Sequence, residues 1–259
     1  MKPQRLPLKR KLACCFSLIL LLLLAGCSKV MHWSKAEPQY YRVESNVVDS
    51  SVLTMITPFS EELWREMNEV VGYCTQPLLR ERPEGTLNNW VADVMKSEAE
   101  RYSGTQVDFA VNNYGGIRIT TLPMGPVTLG RIYEVMPFDN VMVIMQLKGS
   151  ILKVFLDDMA YNGGWPISKD LRFTITDSLA TDITISNIPL DTQRIYKVVM
   201  PDYIANGGDE RHYLRELPRQ TLSYLIRDAL ITNTRNITAS GDSIVVIKDG
   251  RIRLAGGND

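Results

Sequence analysis

The sequence predicts a mixed α/β fold, an α+β arrangement of layered sheets and helices. Three observations carry this expectation. Helical-period stretches and β-branched runs alternate irregularly, with no internal repeat and no low-complexity block. Several of the β-branched runs are short and apolar at consecutive positions, as in a sheet covered on both faces. The chain of 259 residues is 45% hydrophobic and 22% charged, an ordinary globular composition with enough length for one large domain or two small ones.

The N-terminus reads as an export signal. Residues 1–26 hold Lys2, Arg5, Lys9, Arg10 and Lys11 with no acid, and an apolar run of 13 residues follows from Leu12 to Leu24. That run is too short to span a bilayer comfortably as a mature helix. Leu24-Ala25-Gly26-Cys27 resembles the lipobox of bacterial lipoproteins, which makes Cys27 the expected lipidated first residue of the mature chain. Cys14 and Cys15 leave with such a signal, so Cys74 remains alone and no intramolecular disulfide is expected. The remainder carries 24 basic against 29 acidic side chains and no basic stripe, which argues against nucleic acid as a partner.

Residues 27–57 read as the lipidated cysteine and a tether, with Met31, Trp33, Tyr40 and Tyr41 scattered among polar residues and one edge strand between Tyr40 and Val52. The folded domain is expected over residues 58–259. Its first helix runs from Ser60 to Gly72, with Ser60 as N-cap, acids in the first turn and Gly72 as the stop. A second helix spans Thr86–Tyr102, with Leu87, Trp90, Val91, Val94 and Met95 on one face. Val107–Val111 reads as a buried strand, Leu129–Val135 as a short helix, Val141–Leu147 as an apolar strand and Ser150–Tyr161 as a helix. Leu171–Thr176 and Asp182–Ile188 are β-rich, and Tyr196–Met200 is a strand. The last long helix is expected at Arg219–Thr232, followed by a hairpin over Ser243–Arg253 that turns at Asp249-Gly250.

Two glycine loops stand out. Asn113-Tyr114-Gly115-Gly116-Ile117-Arg118 and Tyr203-Ile204-Ala205-Asn206-Gly207-Gly208-Asp209 each follow a β-branched run, and each sets paired glycines beside an ionisable side chain. Paired glycines permit sharp turns and close approach to a ligand. A guanidinium on one loop and a carboxylate on the other would grip the two ends of a polar molecule. A third loop, Met136-Pro137-Phe138-Asp139-Asn140, sits between the short helix and the apolar strand. Metal and nucleophile chemistry is thin. Only His32 and His212 are present, and there is no G-x-S-x-G, no P-loop and no G-x-G-x-x-G opening a helix. No catalytic residue and no metal ligand set is assigned to this chain.

Taken together, Asn113–Arg118, Pro137-Phe138 with Gln146–Ser150, Tyr196–Val199 and Tyr203–Asp209 resemble the C-terminal, substrate-binding domain of 5′-nucleotidases, and Glu84–Met95 resembles the helix that opens that domain. The resemblance covers roughly residues 60–255. It implies a layered sheet-and-helix domain that binds the nucleoside part of the substrate. Phe138 and Tyr203 match the two aromatic positions that sandwich the base, with tyrosine in place of the commoner phenylalanine. Asp209 matches the carboxylate that accepts from ribose hydroxyls, Arg118 the guanidinium at the ribose and phosphate end, and Asn113 a polar contact near the base. Gly115, Gly116, Gly207 and Gly208 are expected to bring the loops close to the ligand.

Three positions depart from the family pattern. Pro83 stands where an arginine precedes the glutamate, with Arg82 one residue earlier. Tyr114 occupies a small-residue position, where it either narrows the pocket or packs outward. Glu210 occupies a glycine position and would weaken phosphate binding if it faced inward. The family's enzymes carry a metallophosphatase domain with two metals, and the tether residues contain none of its motifs. The resemblance therefore implies a nucleotide-recognition half of a split 5′-nucleotidase, lipid-anchored at a bacterial envelope membrane. Its partners would be a nucleoside or nucleoside monophosphate and a separate metallophosphatase polypeptide that supplies the divalent metals. The alternative is a non-catalytic nucleoside-binding lipoprotein that feeds a transporter or sensor.

Overall fold

A computed structural model describes residues 49–256. Cys27, the signal segment and Tyr40–Val48 of the expected edge strand lie outside the described residues. No described helix is long and apolar enough to cross a membrane.

The centre of the fold is a four-stranded sheet in the order β11-β6-β10-β3, made of β11 (Arg219–Leu225), β6 (Val141–Lys148), β10 (Ile195–Pro201) and β3 (Phe109–Ala110). β6 runs antiparallel to both neighbours, and β3 runs parallel to β10. The apolar run of β6 is buried on both sides. Met142 and Ile144 join one core, with α2 (Thr86–Ser103), α3 (Leu129–Val135) and α6 (Ile226–Ala239). Val143, Met145 and Leu147 join a second, with α4 (Gly149–Tyr161) and the sheet beyond it. β10 alternates in the same way, with Val199 in the first core and Tyr196, Val198 and Met200 in the second. This is the double-sided coverage that continuous apolar strands require. Burying one such side chain contributes about 1.5–3 kcal/mol before entropy is counted, so the two cores fix this sheet firmly.

The second four-stranded sheet has the order β12-β7-β8-β9: β12 (Ile252–Leu254), β7 (Leu171–Thr176), β8 (Leu179–Ile185) and β9 (Ile188–Pro189). Two short ladders complete the fold, β1 (Val70–Cys74) with β5 (Gly125–Thr128) and β2 (Leu78–Leu79) with β4 (Thr121–Leu122).

Several elements differ from the sequence reading. The first helix, α1, is Ser50–Met67, not Ser60–Gly72, so Ser50–Val52 is helical rather than an edge strand. Ser60 lies inside it and bonds back to the Thr57 carbonyl (2.9 Å) instead of capping. Val70–Cys74 is claimed by pairing with β5, and Gly72 serves packing: a Cβ there would lie 2.4 Å from Thr234 Cγ2 on α6. Arg219–Leu225 is a strand because the free edge of β6 captures it, with Leu222 buried, and helix α6 begins only at Ile226. β8 ends at Ile185, where Ser186 and Asn187, both at positive φ, turn the chain into β9.

The expected C-terminal hairpin is absent among the described residues. Ile244 instead forms a parallel bridge with Cys74, and β12 pairs parallel with β7. The Asp249-Gly250 step presents its two N–H groups to the buried Glu84 carboxylate, at 2.9 and 3.0 Å, and Asn89 Nδ2 donates to the same carboxylate at 2.7 Å. A buried charge with three donors outweighs a local turn preference.

Candidate functional site

The central sheet brings three loops to one end. β3 and β10 are adjacent and parallel (Val199 opposite Ala110), so the Asn113 loop and the Tyr203–Asp209 loop leave from neighbouring C-terminal ends. Such ends are the usual place for ligand sites in α/β sheets. β6 is antiparallel to β10, with Met142 opposite Pro201, so the Phe138 loop enters the sheet at the same end.

Each loop is held by backbone bonds. Gly116 N donates to Asn113 O (3.0 Å) and closes a short 3-10 turn at Tyr114–Gly116, after which Arg118 N donates to Val135 O (2.9 Å). A Cβ on Gly116 would lie 2.8 Å from Asn113 Oδ1 and 3.0 Å from the Asn112 amide, so only glycine lets these side chains pack beneath the turn. In the third loop Asp202 Oδ1 accepts from Tyr203 N (2.8 Å) and starts α5 (Asp202–Ala205); Gly207 then takes φ 86°.

Between the loops lies a cleft of about 320 Å³, lined by Asn113, Gly115, Gly116, Arg118, Phe138, Asn140, Tyr203 and Asp209. Phe138 is 41% exposed and Tyr203 is 46% exposed, so neither ring is spent on the core. The Arg118 guanidinium lies 5.6 Å from the centre of the Phe138 ring. Asp209 Oδ1 accepts from the Tyr203 hydroxyl (2.9 Å), and Asp209 Oδ2 accepts from Asn113 Nδ2 (3.3 Å), which ties two loops together. Donation to Asp209 holds the Tyr203 phenol above its ordinary pKa. The cleft therefore offers two partly exposed aromatic rings, one guanidinium, one carboxylate and one amide.

Seven of the nine residues singled out in the sequence meet in this cleft. Gly207 and Gly208 do not. They line a depression on the other side of Tyr203, with Asp202, Asn206 and Arg215. Their service is steric: a Cβ on Gly208 would lie 2.6 Å from both the Tyr203 ring and its carbonyl, and one on Gly207 would lie 2.6 Å from Arg215 Nε.

A second cleft of about 590 Å³ adjoins the first and shares Asn113, Gly115 and Asp209 with it. Two of the three family-variant positions, Tyr114 and Glu210, line this cleft. Tyr114 does not line the aromatic cleft; the guanidinium groups of Arg80 and Arg82 lie 4.9 Å and 4.0 Å from its ring centre. Arg82 thereby reaches the site despite the proline that follows it. Glu210 lines this second cleft rather than the aromatic one.

Two contributors escaped the sequence. Asn140 lines the aromatic cleft. Arg227, buried at the start of α6, donates to Pro137 O (3.2 Å), Phe138 O (3.5 Å) and Asp139 Oδ1 (2.7 Å), and stacks 4.3 Å from the Tyr133 ring. It anchors the Phe138 loop from behind. No local motif marks it, since its partners lie about ninety residues away.

Among the described residues no group of three or more His, Cys, Asp or Glu could hold a metal ion, and His212 is the only histidine. These residues do not fit a two-metal centre.

Comparison with known proteins identifies the family. Residues 70–216 match the family model described as "5′-nucleotidase, C-terminal domain". The cell wall protein Lmo0130 of Listeria monocytogenes is 25% identical over 236 residues, covering 82% of this chain and 30% of that protein. The trifunctional nucleotide phosphoesterase protein YfkN of Bacillus subtilis is 27% identical over 216 residues, covering 75% of this chain and 14% of that protein. The crystal structure of the 5′-nucleotidase precursor from Thermus thermophilus superposes with a TM-score of 0.67 at 26% identity, over 81% of this chain and 44% of that one. The chain thus spans less than half the length of each of these relatives. With three loops converging on one cleft and the family model covering more than half its residues, the chain belongs to the 5′-nucleotidase C-terminal domain family.

Proposed function

We propose that this chain recognises the nucleoside part of a nucleoside monophosphate and positions its phosphate ester for a separate metallophosphatase polypeptide. The observation that carries this is the aromatic cleft. Phe138 and Tyr203 offer flat faces for a base, and base–aromatic stacking is worth about 1–3 kcal/mol per base. Asp209 offers a carboxylate to ribose hydroxyls, and Arg118 a planar fork to phosphate oxygens.

Divalent metals would reside on the partner, where they would polarise the phosphoryl group and supply hydroxide. This chain's contribution is orientation: holding base and ribose fixed converts encounter into alignment. Lipidation at Cys27 would hold the assembly at a bacterial envelope membrane, and the description of Lmo0130 as a cell wall protein supports a surface location. The name of YfkN, a nucleotide phosphoesterase, supports the substrate class.

The test is a phosphate-release assay on the purified chain with AMP, with and without added Mn²⁺, run beside a binding measurement. AMP binding without phosphate release supports the division of labour. Steady turnover by the isolated chain contradicts it.

A further inference from the structure

We infer that α1 (Ser50–Met67) is a self-association helix, and that its apolar face is covered by the same helix of a second copy of this chain, running antiparallel to it. This goes beyond the nucleoside reading of the cleft and does not depend on it.

Not one side chain of α1 is buried among the described residues. Yet Val52, Ile56, Phe59 and Leu63 lie on one face of the helix and are 49–73% exposed, with Met55 and Trp64 exposed at its margins. A large apolar face left in water marks an interaction surface. The C-terminal end of the helix is fastened to the domain. Met67 packs against the first core, and Leu129 N donates to Glu69 O (2.9 Å). A Cβ on Gly130 would lie 3.0 Å from the Met67 carbonyl, so this glycine admits the end of α1 against α3.

Two features choose the occupant. The first is spacing. Steps of four, three and four residues from Val52 to Leu63 are those of a coiled-coil seam. They read the same in either direction. A two-fold axis near Thr57 therefore sets Val52 of one copy against Leu63 of the other, and Ile56 against Phe59. A contact between like surfaces requires this self-complementarity. The second is charge. Ser50 to Ser60 carries none, while Glu61, Glu62, Arg65 and Glu66 crowd the last turns. A parallel pair would set these acids side by side. An antiparallel pair sets them beside the uncharged half of the other helix, towards its N-terminal end, where the helix dipole favours negative charge. The same excess of acid argues against an anionic membrane surface, which attracts basic helices.

The experiment is sedimentation equilibrium of the full chain over a micromolar concentration range, beside Leu63→Glu and, on the polar face, Glu61→Gln. The wild type and Glu61→Gln should show the same reversible monomer–dimer equilibrium. Leu63→Glu sets a carboxylate into two symmetric layers and should weaken the dimer by about tenfold or more. Leu63 is 55% exposed in the single chain, so the variant should keep the wild-type melting temperature at low concentration, which separates lost pairing from lost folding. A photo-reactive benzoylphenylalanine in place of Leu63 should cross-link to the segment around Val52 of the other copy; cross-linking to position 63 means a parallel pair and overturns the arrangement. A chain that stays monomeric throughout the range, or a dimer that Leu63→Glu leaves intact, overturns the inference. So does a monomer whose binding to phosphatidylethanolamine–phosphatidylglycerol vesicles is lost in Leu63→Glu, which gives the face to lipid. None of these outcomes bears on adenosine titration, which tests the cleft.

Discussion

Substituting Gly208 by alanine places a methyl group 2.6 Å from Cε1 and Cζ of Tyr203 and 2.6 Å from the Tyr203 carbonyl oxygen. A ring could swing away from such a contact, but a backbone carbonyl cannot without moving α5. The substitution therefore acts as overpacking, which costs about 1–3 kcal/mol, or about 3–10 °C in melting temperature for a domain of this size. The displaced ring also leaves the aromatic cleft. If stacking on Tyr203 contributes about 1–3 kcal/mol, nucleoside affinity should fall by about 5- to 150-fold. Gly115→Ala is the control for melting temperature alone, because a Cβ there meets only Asn113 Nδ2 at 3.8 Å. Differential scanning fluorimetry and calorimetric titration with adenosine read both effects. A Gly208→Ala protein with the melting temperature of Gly115→Ala and the affinity of the wild type would refute the reasoning.

Three further outcomes are expected. Arg227→Met should weaken nucleoside binding by about 3- to 10-fold with a smaller effect on folding, because it frees the Phe138 loop while its ion-pair partner Asp139 stays largely solvated; unchanged affinity by calorimetry would remove Arg227 from the site. Gly72→Ala should destabilise by about 1–3 kcal/mol through its contact with Thr234 Cγ2, and Thr234→Ser should restore much of the loss; strict additivity in chemical denaturation would argue against that contact. Burial pushes the Cys74 thiol from 9.0 up to about 11. Its folded pKa is raised, so its share of stability is complete below pH 9 and is lost as pH rises towards 11, at about 1.4 kcal/mol per unit. Cys74→Ala should show a flatter alkaline stability profile, and identical profiles would contradict the assignment.

Legibility in the sequence followed the range of the forces involved. Elements whose burial is written into their own period were readable: α2 with Leu87, Val91 and Met95 inward, and β6 apolar on both faces. Val70–Gly72 and Arg219–Leu225 read as helix because their apolar spacing fits either period, and only the free edges of β5 and β6 decide the matter. The Asp249-Gly250 pair looked like a hairpin turn because Glu84, which binds its N–H groups, lies about 165 residues earlier. At the site, Phe138, Tyr203, Asp209 and Arg118 were legible through the loop motifs that carry them. The glycines were legible as necessary but not as to purpose: Gly115 and Gly116 line the cleft, whereas Gly207 and Gly208 make room for Tyr203 and Arg215. Arg227 and Asn140 carry no motif and emerge only once the fold is in hand.

The most direct measurement of the central claim is calorimetric titration of the purified chain with adenosine, repeated on Phe138→Ala. Saturable binding of one nucleoside per chain, weakened about tenfold or more when the ring is removed, is the expected result. No heat of binding at millimolar adenosine, or binding indifferent to the loss of Phe138, would contradict it.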